Sequence, residues 1–243
     1  MSQRILVWDI PTRVFHWLLA LSFIGAYVTA ESERWALIHV TCGYSLLGLI
    51  VFRLIWGLTG TRYARFSEFV SGPSSVIRYM SGLVRGRPPH YVGHNPAGAL
   101  AILALLLLGL VSGVSGWMVY EDVEVEWLEW LHETASVSML VMVFIHVAGV
   151  LVSSRLHGEN LVRSMIDGRK KAKADQAITA GRPNVALLVL AGFFGFWVWS
   201  FSDKWMPAAV AVAAISNEAK VVPSGSDESD LLRSSLVTSK DHL

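Results

Sequence analysis

The stretch that decides the fold is "LHETASVSMLVMVFIHVAGV", residues 131–150. Between its ends it is apolar enough for lipid, yet it carries His132 and His146, fourteen residues apart. Ionisable side chains inside a membrane are expensive and mark function. Fourteen residues are close to four helical turns, so both imidazoles leave one face, ~21 Å apart along the axis. That separation is most of a ~30 Å hydrocarbon core, which puts one ring near each side of it.

Composition agrees with a membrane setting. Hydrophobic residues make up 53% of the chain and charged residues only 16%, against about 25% charged in a soluble domain. Four long apolar segments, 14–30, 36–58, 97–119 and 130–153, are followed by a fifth at 185–201. Each approaches the ~20 residues that a spanning helix needs, and backbone in lipid has to be helical. The first segment ends in "YVTAES", a small-residue pattern resembling a secretory cleavage site. A polar run containing Pro and Trp precedes it and further spans follow, so we read it as a helix that stays. The expected fold is therefore all-α and integral to the membrane, a four-helix transmembrane bundle plus a fifth transmembrane helix.

The lone cysteine, Cys42, excludes a disulfide framework, a cysteine-based zinc site and the CxxCH attachment of a c-type haem. Charge sorts by side. The connection 59–96 holds Arg62, Arg65, Arg78, Arg85 and Arg87 against Glu68 alone, and a second basic run extends from Arg155 to Lys173. Between Trp117 and Ser154 there is no Lys or Arg, while Glu121, Asp122, Glu124, Glu126, Glu129 and Glu133 cluster there. The positive-inside rule places the basic connections and the N-terminus in the cytoplasm. An odd number of spans then puts the C-terminus outside the cytoplasm. No nucleic-acid partner is read from the near-neutral net charge of +1.

With depth assigned, four histidines fall into two levels. His16 and His146 lie toward the basic side, His39 and His132 toward the acidic side, and each pair draws on two different helices. Zinc would ask for four ligands around one point. A porphyrin supplies four nitrogens and leaves two axial positions, so two facing imidazoles per level suit two stacked b-type haems. For any single histidine, interfacial hydrogen bonding is an equal alternative; for the matched set it is not. Arg53, fourteen residues after His39, reaches the depth of the inner pair. There it either pairs with a haem propionate or snorkels to the interface. Gly43 and Gly48 leave the second helix flat, whereas Gly109, Gly113 and Gly116 read as a close-packing pattern. Met139 and Met142 are read as core, His157 as facing the cytosol, and His94 as an interfacial loop residue with proton transfer at a quinone site as its alternative. "HNPAGA" announces an N-cap at Asn95 and a first-turn proline for the third span.

The motifs "PTRVFHW", "IHVTCGY", "VFRLIWG", "LHETAS" and "FIHVAGV" resemble the bacterial cytochrome b561 family, whose relatives include the b-type subunits of nickel–iron hydrogenases. The likeness covers about residues 5–170. It implies a di-haem bundle in the cytoplasmic (inner) membrane with axial iron ligands at His16, His39, His132 and His146. It also implies electron exchange between the quinone pool and a redox partner, as an electron-transfer protein or a quinone-linked oxidoreductase. The acidic outer surface suits a basic periplasmic cytochrome c. Two other readings stand beside it: a membrane-anchor cytochrome subunit of a larger enzyme such as a hydrogenase, and a non-redox transporter whose histidines bind metal. The expected organisation is a haem domain at 1–170, a basic cytoplasmic linker at 171–184, the additional helix at 185–201 and a polar, flexible periplasmic tail at 202–243.

Overall fold

The computed structural model describes residues 3–202. The chain divides into two compact units, Met1–Trp197 and Val198–Leu243, and the helical bundle belongs to the first. The tail expected at 202–243 lies, from residue 203 onward, outside the described residues.

Five long helices correspond to the five apolar segments: α1 (Ile10–Thr29), α2 (Ala36–Thr59), α5 (Pro96–Tyr120), α6 (Trp127–His157) and α8 (Pro183–Ser200). Among the described residues, four helical segments are long and apolar enough to cross a membrane: Glu33–Thr59, Pro96–Tyr120, Trp127–His157 and Pro183–Ser200. The first helix is long enough but less apolar, because Arg13, His16 and Trp17 occupy its opening turns. Three shorter helices sit on the basic connections: α3 (Phe66–Phe69), α4 (Pro73–Val84) and α7 (Leu161–Asp167). The sequence reading did not anticipate them.

Local chemistry sets the helix ends. Asp9 caps α1 by accepting from Thr12 N at 2.8 Å, with Pro11 in the first turn. Asn95 caps α5 by accepting from Gly98 N at 2.7 Å, as the Asn-Pro pair announces. Gly158 ends α6 with φ 59°, a left-handed conformation that costs glycine little.

Packing pairs α1 with α2 and α5 with α6, and α2 with α5 joins the two pairs. Their shared core is Phe15, Leu18, Leu46, Leu49, Ile50, Leu106 and Met139. Met139 thus serves packing, as its flexible thioether suits. Gly25 faces Cys42 and Gly109 faces Ile50, each so close that a Cβ would stand 2.7 Å from the neighbour. These close approaches are how small residues let spans pack. The outward faces stay apolar: Leu21, Ile24, Val28, Leu58, Leu107 and Phe144 are all exposed. Only 33% of the α2 segment and 11% of α6 is buried within the protein, so lipid has to cover the remainder. The chain is a multi-pass membrane protein.

The basic side carries a cap that the sequence reading did not foresee. Strand β1 (Gln3–Leu6) pairs antiparallel with β2 (Arg169–Ala172), Arg4 opposite Lys171. Ile5, Val7, Trp8, Tyr63, Ala172 and Ile178 form a second apolar cluster beneath it. Asp9 is fully buried and also accepts from Trp56 Nε1 at 3.1 Å and Thr61 Oγ1 at 2.6 Å. A buried carboxylate is tolerable when its oxygens are bonded in this way. The stretch expected as a linker, 171–184, is held in the cap: Ile178 N donates to Leu6 O, Ile10 N to Gly181 O, and Tyr63 Oη to Gln176 O.

Candidate functional site

The acidic-side pair is the sharper feature. His39 opens α2 and His132 opens α6, and their ring centres stand 6.2 Å apart with planes at 81°. Each ring is held by a backbone carbonyl of the helix beside it. His39 Nδ1–H donates to Ala26 O of α1 at 2.8 Å, and His132 Nδ1–H donates to Ser112 O of α5 at 2.8 Å. A carbonyl only accepts, so Nδ1 carries the proton in both rings and Nε2 carries the lone pair. Metal-ligating histidines are oriented in this manner, with the second nitrogen donating to a carbonyl or carboxylate.

A haem iron can be tested against that distance. An imidazole nitrogen lies ~1.2 Å from its ring centre and binds a metal at ~2 Å. Two imidazoles on opposite sides of one ion therefore stand ~6.4 Å apart, centre to centre. The observed 6.2 Å fits. Among the described residues, no three His, Cys, Asp or Glu side chains converge as a metal site, so a group that brings its own equatorial ligands suits the pair. A Cβ at Gly43, one turn after His39 on the same face of α2, would meet nothing within 4 Å, which leaves that face flat enough for a macrocycle, whereas Gly48, nine residues after His39, lies on the opposite face. Gly116 differs from its neighbours in the same pattern. Gly113 faces Leu47, but a Cβ at Gly116 would stand 2.7 Å from His132 Cε1 and Nδ1. The packing reading therefore holds for Gly109 and Gly113, and Gly116 additionally makes room for the ring. Ser112 and Ser136 Oγ share a 2.7 Å hydrogen bond that fastens α5 to α6 one turn below it.

The basic-side pair is His16 and His146. His16 on α1 and His146 on α6 lie within electrostatic reach of one another, and His16 Nδ1 is buried without a hydrogen-bond partner. Beside them Arg53 is 3% exposed, so its guanidinium does not snorkel to water. It lies over the Phe66 ring at 4.9 Å and the Phe69 ring at 5.9 Å, and its Nη1 is buried and unpartnered. The buried Asp9 carboxylate lies within electrostatic reach of it, and a haem propionate is the kind of group that would satisfy the unpartnered Nη1.

His94 belongs to the same neighbourhood. It packs between Trp8 at 4.5 Å and Phe69 at 4.6 Å, with Nδ1 buried and unpartnered. The loop residue expected at the interface is half-buried, its ring held between two aromatic ones. His157, expected to face the cytosol, stacks edge-on against His90 at 5.3 Å. Burial, followed by the positive charges of Arg53 and Lys170, brings the His94 imidazole down to about 3. In the unfolded chain a histidine titrates near ~6.5, so between the two values the unfolded state binds the extra proton. Stability is complete above the unfolded value and falls as pH drops from 6.5 toward 3. Acidification from pH 7.5 to 4.5 should cost the wild type about 3 kcal/mol from this group. Thermal melts followed by tryptophan fluorescence check this: His94→Leu should lose much of the acid sensitivity, and an unchanged sensitivity contradicts it.

A membrane-embedded helical bundle with imidazoles facing one another across it is the architecture of a b-type cytochrome, in which the protein supplies only the axial ligands to haem b. The prokaryotic cytochrome b561 family matches residues 7–168, and the chain belongs to that family. Its relatives include a probable Ni/Fe-hydrogenase B-type cytochrome subunit of Rhizobium leguminosarum bv. viciae, 24% identical over 217 residues covering 70% of this chain and 90% of that one. The corresponding protein of Azotobacter vinelandii is 24% identical over 223 residues, covering 72% and 92%. A probable Ni/Fe-hydrogenase 1 B-type cytochrome subunit of Escherichia coli K12 is 25% identical over 142 residues, covering 48% and 60%. No solved structure matches the chain.

Residues that sequence reasoning missed are those defined by a neighbour. The carbonyls of Ala26 and Ser112, Gly116 against His132, and the Phe66–Phe69 platform under Arg53 carry no signal in a single sequence. His94 had one weak signal, its position just before the Asn95 cap.

Proposed function

We propose that this chain carries two b-type haems, one between His39 and His132 and one between His16 and His146, and passes electrons between the quinone pool and a periplasmic redox protein. The observation that carries the reading is the His39–His132 pair, 6.2 Å apart with both Nδ1 protons committed to backbone carbonyls. A haem held by such a pair of imidazoles would supply one-electron exchange. The chain's own part is placement. Carbonyls on α1 and α5 fix the outer imidazoles, and Arg53 with its unpartnered Nη1 offers charge to a propionate of the inner group. Histidines on α6 at both levels give a path across the bilayer without movement of the helices.

The orientation follows the charge bias: basic cap and N-terminus in the cytoplasm, five spans through the inner membrane, C-terminus in the periplasm. The acids Glu121, Asp122, Glu124 and Glu126 are all exposed on the opposite side. They present a negative field to a basic cytochrome c, and complementary fields raise encounter rates. The names of the relatives favour a second reading, a cytochrome subunit anchoring a larger enzyme such as a hydrogenase. Retention of a catalytic subunit through purification in mild detergent would favour that one.

The test uses the purified full chain. Two haems b per polypeptide, reduced by a quinol analogue and reoxidised by a basic cytochrome c, are expected; a single haem, or no reduction by quinol, overturns the reading. Neutralising the four acids to amides should lower the second-order reoxidation rate roughly tenfold at low salt. It should also flatten the salt dependence, since screening acts over ~8–10 Å. Stopped-flow traces at several salt concentrations give both numbers, and an unchanged slope leaves the acids as solvated surface.

A further inference from the structure

The short helix α4 (Pro73–Val84) is divided into three lengthwise stripes. Val76, Tyr79 and Leu83 face inward, with Tyr79 only 1% exposed. Ile77, Met80 and Val84, at the same i, i+3, i+7 spacing, form a second stripe that is apolar yet 66%, 43% and 86% exposed. Ser74, Arg78, Ser81 and Arg85 make a third, polar and exposed. Arg87 follows directly and is exposed as well. Arg62 and Arg65, earlier in the same connection, share Glu68. Arg78, Arg85 and Arg87 enter no ion pair among the described residues.

We propose that α4 lies in the lipid interface on the basic side of the bundle, its Ile77–Met80–Val84 stripe among acyl chains and its arginines on the headgroups of anionic phospholipid. Water is a poor partner for three large apolar side chains in one stripe. The helix packs against α5, one of the spans, so its exposed apolar stripe continues the surface that the bilayer already covers. An apolar face beside a basic one is the arrangement of helices that lie on membranes. Three unpaired guanidiniums beside that face match the negative surface of an anionic leaflet, each worth about fivefold in binding. Anionic glycerophospholipid is therefore the occupant, and it would hold the 59–96 connection against the bundle. The proposal rests on the chain's spanning the membrane and is independent of the number of haems and of quinone.

Spin labels on the haem-loaded full chain test it, in Cys42→Ser with single cysteines at Ile77, Met80, Val84, Ser74 or Ser81. Nanodiscs of phosphatidylcholine with and without phosphatidylglycerol provide the membrane, and the haem spectrum shows that each variant is folded. Labels at 77, 80 and 84 should be relaxed by oxygen and shielded from a water-soluble nickel chelate, with 74 and 81 the reverse. Native mass spectrometry with the Arg78→Gln, Arg85→Gln, Arg87→Gln triple variant should show phosphatidylglycerol affinity reduced up to ~100-fold, from three arginines at about fivefold each. Chelate access along the apolar stripe equal to that at 74 and 81 overturns the proposal. So does shielding from both reagents, which means that protein covers the stripe, and so does unchanged phosphatidylglycerol retention in the triple variant.

Discussion

Alanine in place of His132 is expected to abolish one of two b-haem components in a reduced-minus-oxidised spectrum, about half of the absorbance. His39→Ala should remove the same component. The two rings stand 6.2 Å apart, and deleting either would leave a haem proposed between them held by one imidazole alone. His16→Ala and His146→Ala should remove the other component, because ~21 Å of helix separates the levels on α6. Low-temperature spectra or a redox titration resolve the two components. Should His16→Ala and His39→Ala abolish the same one, the pairing is wrong. The surviving component should keep its midpoint potential to within a modest shift, since the substitution lies ~21 Å along the bundle from the imidazoles that hold it.

The second large effect is expected at a residue with no chemistry of its own. A Cβ on Gly116 would lie 2.7 Å from His132 Cε1 and Nδ1, whereas relaxed carbon contacts are ~3.5–4.0 Å. The ring has to retreat by nearly ~1 Å, and the 2.8 Å bond to Ser112 O is the first casualty. Overpacking of this kind costs ~1–3 kcal/mol, which reads as roughly ten- to hundredfold weaker retention of the outer haem. Gly116→Leu should be worse than Gly116→Ala. Gly113→Ala is the control: its Cβ would meet Leu47 Cδ1 at 3.2 Å, the end of a side chain that can rotate aside. Haem content per polypeptide, measured on membranes and after purification, separates the cases. Normal haem content in Gly116→Leu would show that His132 does not need its observed position.

The two predictions draw on different information. The histidines were legible because membrane sequence is a restricted code. An imidazole within twenty apolar residues is conspicuous, and its depth follows from a rise per residue that does not vary. The Asn95 cap was legible for a similar reason, since the interaction spans only three residues. Gly116 was read only as one member of a small-residue pattern, because the ring that it accommodates lies on another helix. Arg53 was read either as a propionate partner or as snorkelling to the interface, and the position of its guanidinium, resting on Phe66 and Phe69 rather than reaching water, was not legible.

By itself, then, the sequence determined the long helices, the side on which each charge lies and the level of each histidine along its helix. Those follow from local hydropathy, from fixed helical rise and from the electrostatic asymmetry of insertion. Only the tertiary structure decided that His39 and His132 face one another with both Nδ1 protons bound to neighbouring helices. It alone closed β1 onto β2 across more than 160 residues, and it alone set the His94 ring between Trp8 and Phe69. Rotation of a helix about its axis and the partner of a short edge strand are set by packing between distant segments. A linear pattern records how apolar a face is, not which surface it will meet.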